Sequence, residues 1–397
     1  MSTTLRATAA VRFVTAASLF DGHDAAINVI RRLLLEAGCE TIHLGHNRSV
    51  AEIVTAAIQE DADGIAISSY QGGHMEFFRY ARQLLDERGA KHIKIFGGGG
   101  GTIVPREIAE LERDGIERIY SPEDGRRLGL EGMIRDMVER CRASRPEQEG
   151  ASSRENLPRL VTLLEAQPED APAILARFGL APVAKRAPVV GITGPGGAGK
   201  SSFTDELILR FLRHRPEGRV AVLAVDPTRR RTGGALLGDR IRMNSAANER
   251  VFIRSLATRQ QGGEISQALR PVIEAVQRSG FDLVLVETSG IGQGSSSVTD
   301  LADVSVYVMT PEYGAASQLE KIDMLDLADL VVVNKFDRRG ASDALRDVRK
   351  QFRRGRKLFE ATDDSLPVFG TVSSQFNDGG VNRAFTCLLG LVDKKCG

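Results

Sequence analysis

The sequence predicts an α/β chain built from two doubly wound parallel-sheet domains. Three observations carry that expectation. Short runs rich in Val, Ile and Leu alternate with amphipathic helical stretches along nearly the whole chain. The alternation falls into two series, separated by a polar stretch at 143–156. The length of 397 residues exceeds what one core usually encloses.

The first series opens with VRFVTAA (11–17), read as a strand, and a helix over 24–37. The strands TIHLG (41–45), GIAISS (64–69), HIKIFGG (92–98) and ERIYS (117–121) follow. Helical patterns at 49–60, 74–88, 105–113 and 124–141 lie between and after them. Strands that are apolar on both faces imply a parallel sheet covered on both sides. Ligands of such sheets sit beyond the carboxyl ends of the strands. The polar stretch ASRPEQEGASSREN reads as a linker. The expected organisation is therefore a first domain over 1–142, a linker over 143–156 and a second domain over 157–397. Short helices are expected at 157–180. A second strand series then runs from APVVGIT through RVAVLAVD, RVFIRSL, FDLVLVET, VSVYVMT and LVVVNK to LPVFGTV.

Composition excludes several classes. Apolar residues make up 42% and charged residues 26%, ordinary for a globular protein. A net charge of +1 provides no global field toward nucleic acid or membrane. Cys39, Cys141, Cys387 and Cys396 are far apart and form no C-x-x-C, which argues against zinc or a disulfide framework and fits a reducing cytoplasm. No run is long enough for a membrane helix, and the N-terminus is too broken for a signal peptide.

GPGGAGKS (194–201) follows the buried run VVGIT and opens a helical stretch, the context a P-loop requires. Glycines let the backbone curl so that its N–H groups face phosphates, and the helix start adds positive potential. The candidate cradle is Gly196, Gly197, Ala198, Gly199, Lys200, Ser201 and Ser202. Lys200 would reach the β- and γ-phosphates, and Ser201 would ligate magnesium. DLVLVETSGIGQ ends a strand on Glu287 and Thr288, placed for the γ-phosphate and the metal. Asp226 ends AVLAVD and suits a magnesium-bound water; a strand-end acid can equally be a helix cap. LVVVNKFD selects the base. A carboxylate at Asp337 accepts from guanine N1–H and its amino group, a donor pair adenine lacks. Asn334, Lys335 and Phe336 would frame the base, and Ser373 in VSS would lie on the last base-side loop.

With DPTRRRTGGALLGDRIRM (226–243), ETSGIGQ and NKFD on the page, the second domain resembles the MeaB-type GTPases, chaperones of cobalamin-dependent acyl-CoA mutases. The resemblance implies catalytic roles for Lys200, Asp239 and Glu287, with Asp239 reaching the metal and Arg242 the phosphates. It places Gln318 and Lys321 in a further mobile segment that signals to the mutase; a solvated helix face is the alternative for both. No residue matches a water-positioning Gln, with Gln293 the nearest candidate, so slow intrinsic hydrolysis is expected.

The first domain carries SLFDGHDAAI after its first strand, SSYQGGH after its third and FGGGGG after its fourth. A histidine oriented by an acid makes a metal ligand, although D-x-H in a loop can also be purely structural. Together the three segments resemble the flavodoxin-like cobalamin-binding domain of base-off/His-on mutases, whose pattern is D-x-H-x-x-G, S-x-L and G-G. Asp21, Gly22 and His23 match the first element, Ser68 the second, and Gly97 with Gly98 the third. Ala26 replaces a glycine and Tyr70 a leucine. FDGHDA, LGHNRSV, SSYQGGH and FGGGGG point to the fused isobutyryl-CoA mutase family, in which the cobalamin domain precedes the GTPase domain. The resemblance implies adenosylcobalamin with His23 as lower cobalt ligand, Ser68 bonding the displaced benzimidazole, GTP with Mg2+, and a homodimer. It also implies an acyl-CoA-binding barrel of roughly 250 residues, for which this sequence has no room. A separate subunit supplies it, or the chain is part of something longer. The competing expectation is a GTP-gated cobalamin carrier or sensor without mutase activity.

Overall fold

The computed structural model describes residues 10–22, 24–143, 156–183, 186–226, 228, 232–237, 240, 243–258, 267–288, 298–313, 322 and 324–397. The first series folds as β1 (Arg12–Ala17), α1 (Asp24–Glu36), β2 (Glu40–Gly45), α2 (Val50–Gln59), β3 (Gly64–Ser68), α3 (His74–Glu87), β4 (Lys94–Gly98), α4 (Pro105–Arg113), β5 (Arg118–Tyr120) and α5 (Pro122–Arg142). Local chemistry sets the helix starts. Ser49 accepts from Glu52 N while the Glu52 carboxylate accepts from Ser49 N at 2.9 Å, a capping box that opens α2. Ser121 and Asp124 repeat the device at α5. Gly129 interrupts α5 at φ +67° and ψ 169°, outside helical geometry.

Alternation along β1 shows why both faces must be apolar. Phe13 and Ala17 pack with Ile27, Leu34 and Met137 under α1 and α5. Val14 and Ala16 point the other way, into Ile53, Phe78 and Leu85 under α2 and α3. The pairings are parallel, and the order is β5-β4-β3-β1-β2-β8, where β8 is Ala235–Leu237. Chain direction across the sheet reverses at β1, with β2 on one side and β3 on the other. A crevice therefore opens above the carboxyl ends of β1 and β3.

The sixth strand, β8 (Ala235–Leu237), comes from DPTRRRTGGALLGD and was not legible as a strand. Gly234 makes it possible: a Cβ there would lie 2.4 Å from the Leu35 carbonyl oxygen. Ala235 and Leu237 are fully buried in the first core.

The later elements are α6 (Leu157–Ala166), α7 (Ala171–Arg177), β6 (Val189–Thr193), α8 (Lys200–His214), β7 (Val220–Asp226), β9 (Val251–Ala257), α9 (Leu269–Arg278), β10 (Leu283–Thr288), β11 (Val304–Met309), α10 (Met324–Leu327), β12 (Leu330–Asn334), α11 (Ala341–Gly355), β13 (Val368–Thr371) and α12 (Gly379–Cys396). The second sheet has the order β13-β12-β11-β6-β10-β7-β9. Here β6 is flanked by β10 and β11, so the chain order again reverses beside the strand that feeds the P-loop.

By spatial contact the chain divides into two compact units that depart from the contiguous division expected. One comprises residues 1–179, 226–241 and 253–259, and the other 180–225, 242–252 and 260–397. A buried charge cluster explains why the extra segments join the first unit. Arg12 bonds Glu40 at 2.6 Å, Glu60 at 3.3 Å and Glu165 of α6 at 3.1 Å, and Arg254 of β9 bonds Glu165 at 2.6 Å. Arg240 reaches the Gln59 side chain at 2.7 Å and the Ile253 carbonyl. Burial pulls the Arg12 guanidinium pKa down, but Glu165, Glu40 and Glu60 more than offset this and raise it. Burial lowers Arg240 to about 10 against the pull of Glu60. All three arginines stay charged at neutral pH, so every charge in the cluster needs its partners. Glu165→Ala leaves two buried guanidiniums short of an anion and is expected to cost about 3–5 kcal/mol of stability. Urea denaturation checks this; a loss below about 1 kcal/mol would show that water or relaxation replaces the carboxylate.

Candidate functional site

At the crevice of the first unit, the strand ends are stitched to one another. Ser18 N donates to the Ser68 carbonyl at 2.9 Å, and Ser69 N donates to the Gly98 carbonyl at 2.8 Å. Asp21 is 1% exposed, and its Oδ2 accepts from Tyr70 N at 2.6 Å. The acid predicted to orient a ligand thus also pins the loop after β1 to the loop after β3. Gly22 is exposed with open space around it, and His23 lies outside the described residues.

Between the strand ends and helices α1 and α5 lies a cavity of about 390 Å³. Its walls are Ile30 of α1, Ala66, Ser68, Tyr70, Phe96, Gly97, Gly98, Tyr120, and Met133 and Met137 of α5. Ser68 Oγ is buried there without a hydrogen-bond partner. An unpaired buried hydroxyl costs free energy unless something bonds it. Ala26 and Tyr70, the two departures from the family pattern, both line this cavity. Gly97, Gly98, Gly99 and Gly100 all line the cavity. A Cβ on Gly97 would meet Phe78 and Ile119 at 2.5 Å, and one on Gly99 would meet the Ser69 carbonyl oxygen at 2.0 Å. Gly97 and Gly99 thus also make room for neighbouring protein. His46 is exposed. His74 is buried and pairs with Glu107 at 3.0 Å. The Val104 N–H, with His74, holds the Glu107 carboxyl below the usual range. The sequence reading missed Met133, Met137 and Tyr120. The two methionines stand one turn apart on α5, a spacing indistinguishable from ordinary core.

In the second unit, residues 194–199 turn between β6 and α8. Gly194 passes so close to β11 that a Cβ would sit 1.9 Å from the Val308 oxygen. Gly197 and Gly199 adopt φ +76° and +88°. Lys200 and Ser201 start α8. Lys200 Nζ donates to the Gly194 and Pro195 carbonyls at 3.0 and 3.2 Å. Ser201 Oγ donates to Glu287 Oε1 at 2.8 Å, and Thr204 Oγ1 to Oε2 at 3.0 Å. Thr288 Oγ1 is buried without a partner. Ala198 is buried, Ser202 half-buried, and Gly196 faces open space.

The base-side loops converge on Asn334. Its Nδ2 donates to the Ala198 carbonyl at 2.9 Å. Its Oδ1 accepts from Thr371 Oγ1 at 3.1 Å, Ser373 N at 3.1 Å and Ser373 Oγ at 2.9 Å. One amide therefore ties the P-loop to the loops after β12 and β13. Lys335 takes φ +56°, turning the chain sharply so that Phe336 N donates to the Thr371 carbonyl and the exposed Asp337 follows. Thr204 and Thr371 were not expected. Asp226, buried at the end of β7, belongs to the first unit. Asp239, Arg242, Gln293, Gln318 and Lys321 lie outside the described residues.

Comparison with known proteins identifies both parts. Residues 157–381 match the family model described as Methylmalonyl Co-A mutase-associated GTPase MeaB. The chain belongs to this MeaB family. Residues 11–123 match the B12 binding domain. The chain thus joins a cobalamin-binding domain to a mutase-associated GTPase domain. It is 57% identical to a fused isobutyryl-CoA mutase of Geobacillus kaustophilus, over 98% of this chain and 37% of that one. A fused isobutyryl-CoA mutase of Cupriavidus metallidurans is 58% identical over 96% of this chain and 35% of its own length. A putative GTPase of Pyrococcus abyssi is 40% identical over 53% of this chain and 61% of its own. The chain spans little more than a third of the length of the fused mutases it matches. Among the described residues, no helix is long and apolar enough to cross a membrane.

The close packing behind the P-loop yields a direct test. A Cβ on Gly199 would lie 2.4 Å from Asn334 Nδ2, at a backbone angle that side chains disfavour. Gly199→Ala is expected to break the Asn334 bond to Ala198 and weaken nucleotide binding at least about tenfold, since a lost buried bond and backbone strain act together. Fluorescent GDP titration measures this, and an unchanged affinity would show that the loop tolerates the methyl group.

Proposed function

We propose that this chain is the cofactor-holding and GTP-hydrolysing part of an adenosylcobalamin-dependent acyl-CoA mutase, acting on isobutyryl-CoA to give n-butyryl-CoA. The observation that carries the reading is Ser68 Oγ. It is a buried, unpartnered hydroxyl on the wall of an apolar slot at the strand-order reversal. Such a hydroxyl fits a base with a single nitrogen to satisfy and an otherwise apolar body, which is the chemistry of a benzimidazole tail. His23 would be the lower cobalt ligand, Asp21 would orient it, and Gly98 would border the tail. Bound adenosylcobalamin supplies radical chemistry through homolysis of its cobalt–carbon bond. The chain's own contribution is to hold the tail, orient the imidazole and keep water from the slot. The acyl-CoA site belongs to a mutase barrel, in line with the greater length of the fused relatives. We place the assembly in the cytoplasm as a homodimer, consistent with four free thiols.

In the second unit GTP would lie on the P-loop, with magnesium held by Ser201, Glu287 and Thr288. Among the described residues no three His, Cys, Asp or Glu side chains gather around a metal. Phosphate oxygens would complete the magnesium site. Hydrolysis would gate cofactor loading, with Lys200, Asp239 and Glu287 in the catalytic roles.

Two measurements test the proposal. Adding the full chain to adenosylcobalamin should give the base-off/His-on spectral change. His23→Ala should lose it, and Ser68→Ala should weaken binding by about tenfold, the value of one hydrogen bond in an apolar slot. An unchanged wild-type spectrum would remove the cobalamin reading. For the nucleotide, Asp337→Asn should weaken GTP by about a hundredfold or more, because an acceptor becomes a donor facing guanine N1–H. Tight ATP binding by the native chain would overturn the base assignment.

A further inference from the structure

We infer that Phe376 is a nucleotide-binding residue that stacks on the purine of the bound nucleotide. The inference rests on the GTPase reading above. Phe376 is 85% exposed, and among the described residues no large apolar side chain is more so. The loop that carries it is nevertheless firmly tied. β13 ends at Thr371 and α12 begins at Gly379, and residues 372–378 join them. Val372 N donates to Asp378 Oδ1 at 3.2 Å, and the same oxygen accepts from Val381 N at 2.8 Å. Gln375 N donates to the Val372 carbonyl at 2.9 Å, and Asn382 Nδ2 donates to Asn377 Oδ1 at 3.2 Å. Asn377 takes φ +53°, turning the chain directly after Phe376. The ring is therefore held out on a fixed loop, where its exposed apolar area is a standing cost unless something covers it.

The place of the loop in the sheet gives the ring its ligand. Asn334 and Thr371 pair in register across β12 and β13, so the loops bearing Asp337 and Phe376 leave the sheet side by side. Ser373 donates through N and Oγ to Asn334 Oδ1, and Asn334 Nδ2 donates to the Ala198 carbonyl of the P-loop. Two hydrogen-bonded steps thus join the root of the Phe376 loop to the phosphate cradle. The Phe376 Cα lies within about 11 Å of the Ser373 Cα, the reach of three residues. Asp337 reads the edge of the base, which leaves the faces of the purine to be covered. The Phe336 ring already lies against Gly370, where an added Cβ would come within 2.5 Å of it, and packs on the core beneath. Phe376 presents an exposed ring from the neighbouring loop. Stacking on a base is insensitive to the groups at its edge, so Phe376 supplies affinity while Asp337 supplies selectivity. The base is common to GTP and GDP and takes no part in the reaction, so the stack serves ground state and transition state alike.

The experiment uses two variants of the full chain. The sequence contains no Trp, so Phe376→Trp introduces a single indole fluorophore on the loop. Its emission should be quenched on saturation with GDP or GTP, and left unchanged by magnesium tripolyphosphate, which has no base. Phe376→Ala should weaken GDP and GTP by the same factor, about tenfold, as measured by titration calorimetry. KM for GTP should rise with kcat unchanged, as loss of uniform binding requires. The preference for guanine over adenine nucleotides should stay as it is in the native chain. Unchanged GDP affinity in Phe376→Ala would overturn the inference and leave the ring to a protein partner. Indole emission that GDP does not move would overturn it as well. A native chain that binds neither GDP nor GTP would refute the GTPase reading, whereas a native chain that binds GDP no more tightly than Phe376→Ala would refute only the stack.

Discussion

Parallel pairing is the constraint on which both sites depend. A strand hydrogen-bonded to parallel neighbours sends its carboxyl end to the same edge of the sheet as theirs. Where chain order reverses, the loops from neighbouring strands part and leave a crevice. In the first unit this happens between β1 and β3, and in the second around β6. The residues that gather there are separated by tens of positions in the chain, yet backbone register places them side by side. Ala17 pairs with Ser68, and Ser68 with Gly98, so the three loops of the front crevice start level with one another.

Such crowding demands glycine where backbone meets backbone. Gly99 against the Ser69 carbonyl, Gly194 against Val308 and Gly234 against Leu35 each leave less than 2.5 Å for a Cβ. The last is the least obvious. It lets a strand from the middle of the second series close the edge of the first sheet, and it shields the outer side of β2. The buried arginines work alongside it. Burial, followed by the neighbouring Arg12, depresses the Arg254 pKa, and Glu165 and Glu60 counter that. Segments 157–179 and 253–259 stay with the first unit because the anions on one segment and the cations on another cannot be separated without stranding charge in a dry interior.

What the sequence revealed follows from the range over which each signal acts. Strand and helix periodicity is local, so the five front β/α units and the P-loop with its flanking strand and helix could all be read in advance. Ser68 was placed by its match to the S-x-L element of the cobalamin-binding pattern. Asp21 was expected to orient a ligand, and its bond to Tyr70 N, made across 49 positions of chain, could not be read from the sequence. Asn334 was expected at the base and proved to be the joint of three loops. β8 and the charge cluster were hidden for opposite reasons. A three-residue strand carries too little pattern, and a buried arginine looks like a surface arginine until its partners, up to 243 positions apart, are known. Met133 and Met137 escaped because a cavity wall and a core contact use the same residues at the same spacing.

At the second site most of the polar groups are already satisfied, Thr288 Oγ1 excepted, whereas at the first Ser68 is not, and that difference fits the proposed task of each. Lys200, Ser201, Thr204 and Asn334 all bond within the protein. A nucleotide must exchange those bonds for its own, so the net gain per contact is small. Binding could then shift the protein between arrangements of similar free energy, as the proposed change of ligand from triphosphate to diphosphate would require. Ser68 has no bond to exchange. A tail that bonds it removes a standing cost, and Asp21 holds the neighbouring loop in place through Tyr70 N. That arrangement favours retention over switching. On the proposed function, the first crevice would keep its ligand and the second would respond to a change in its own.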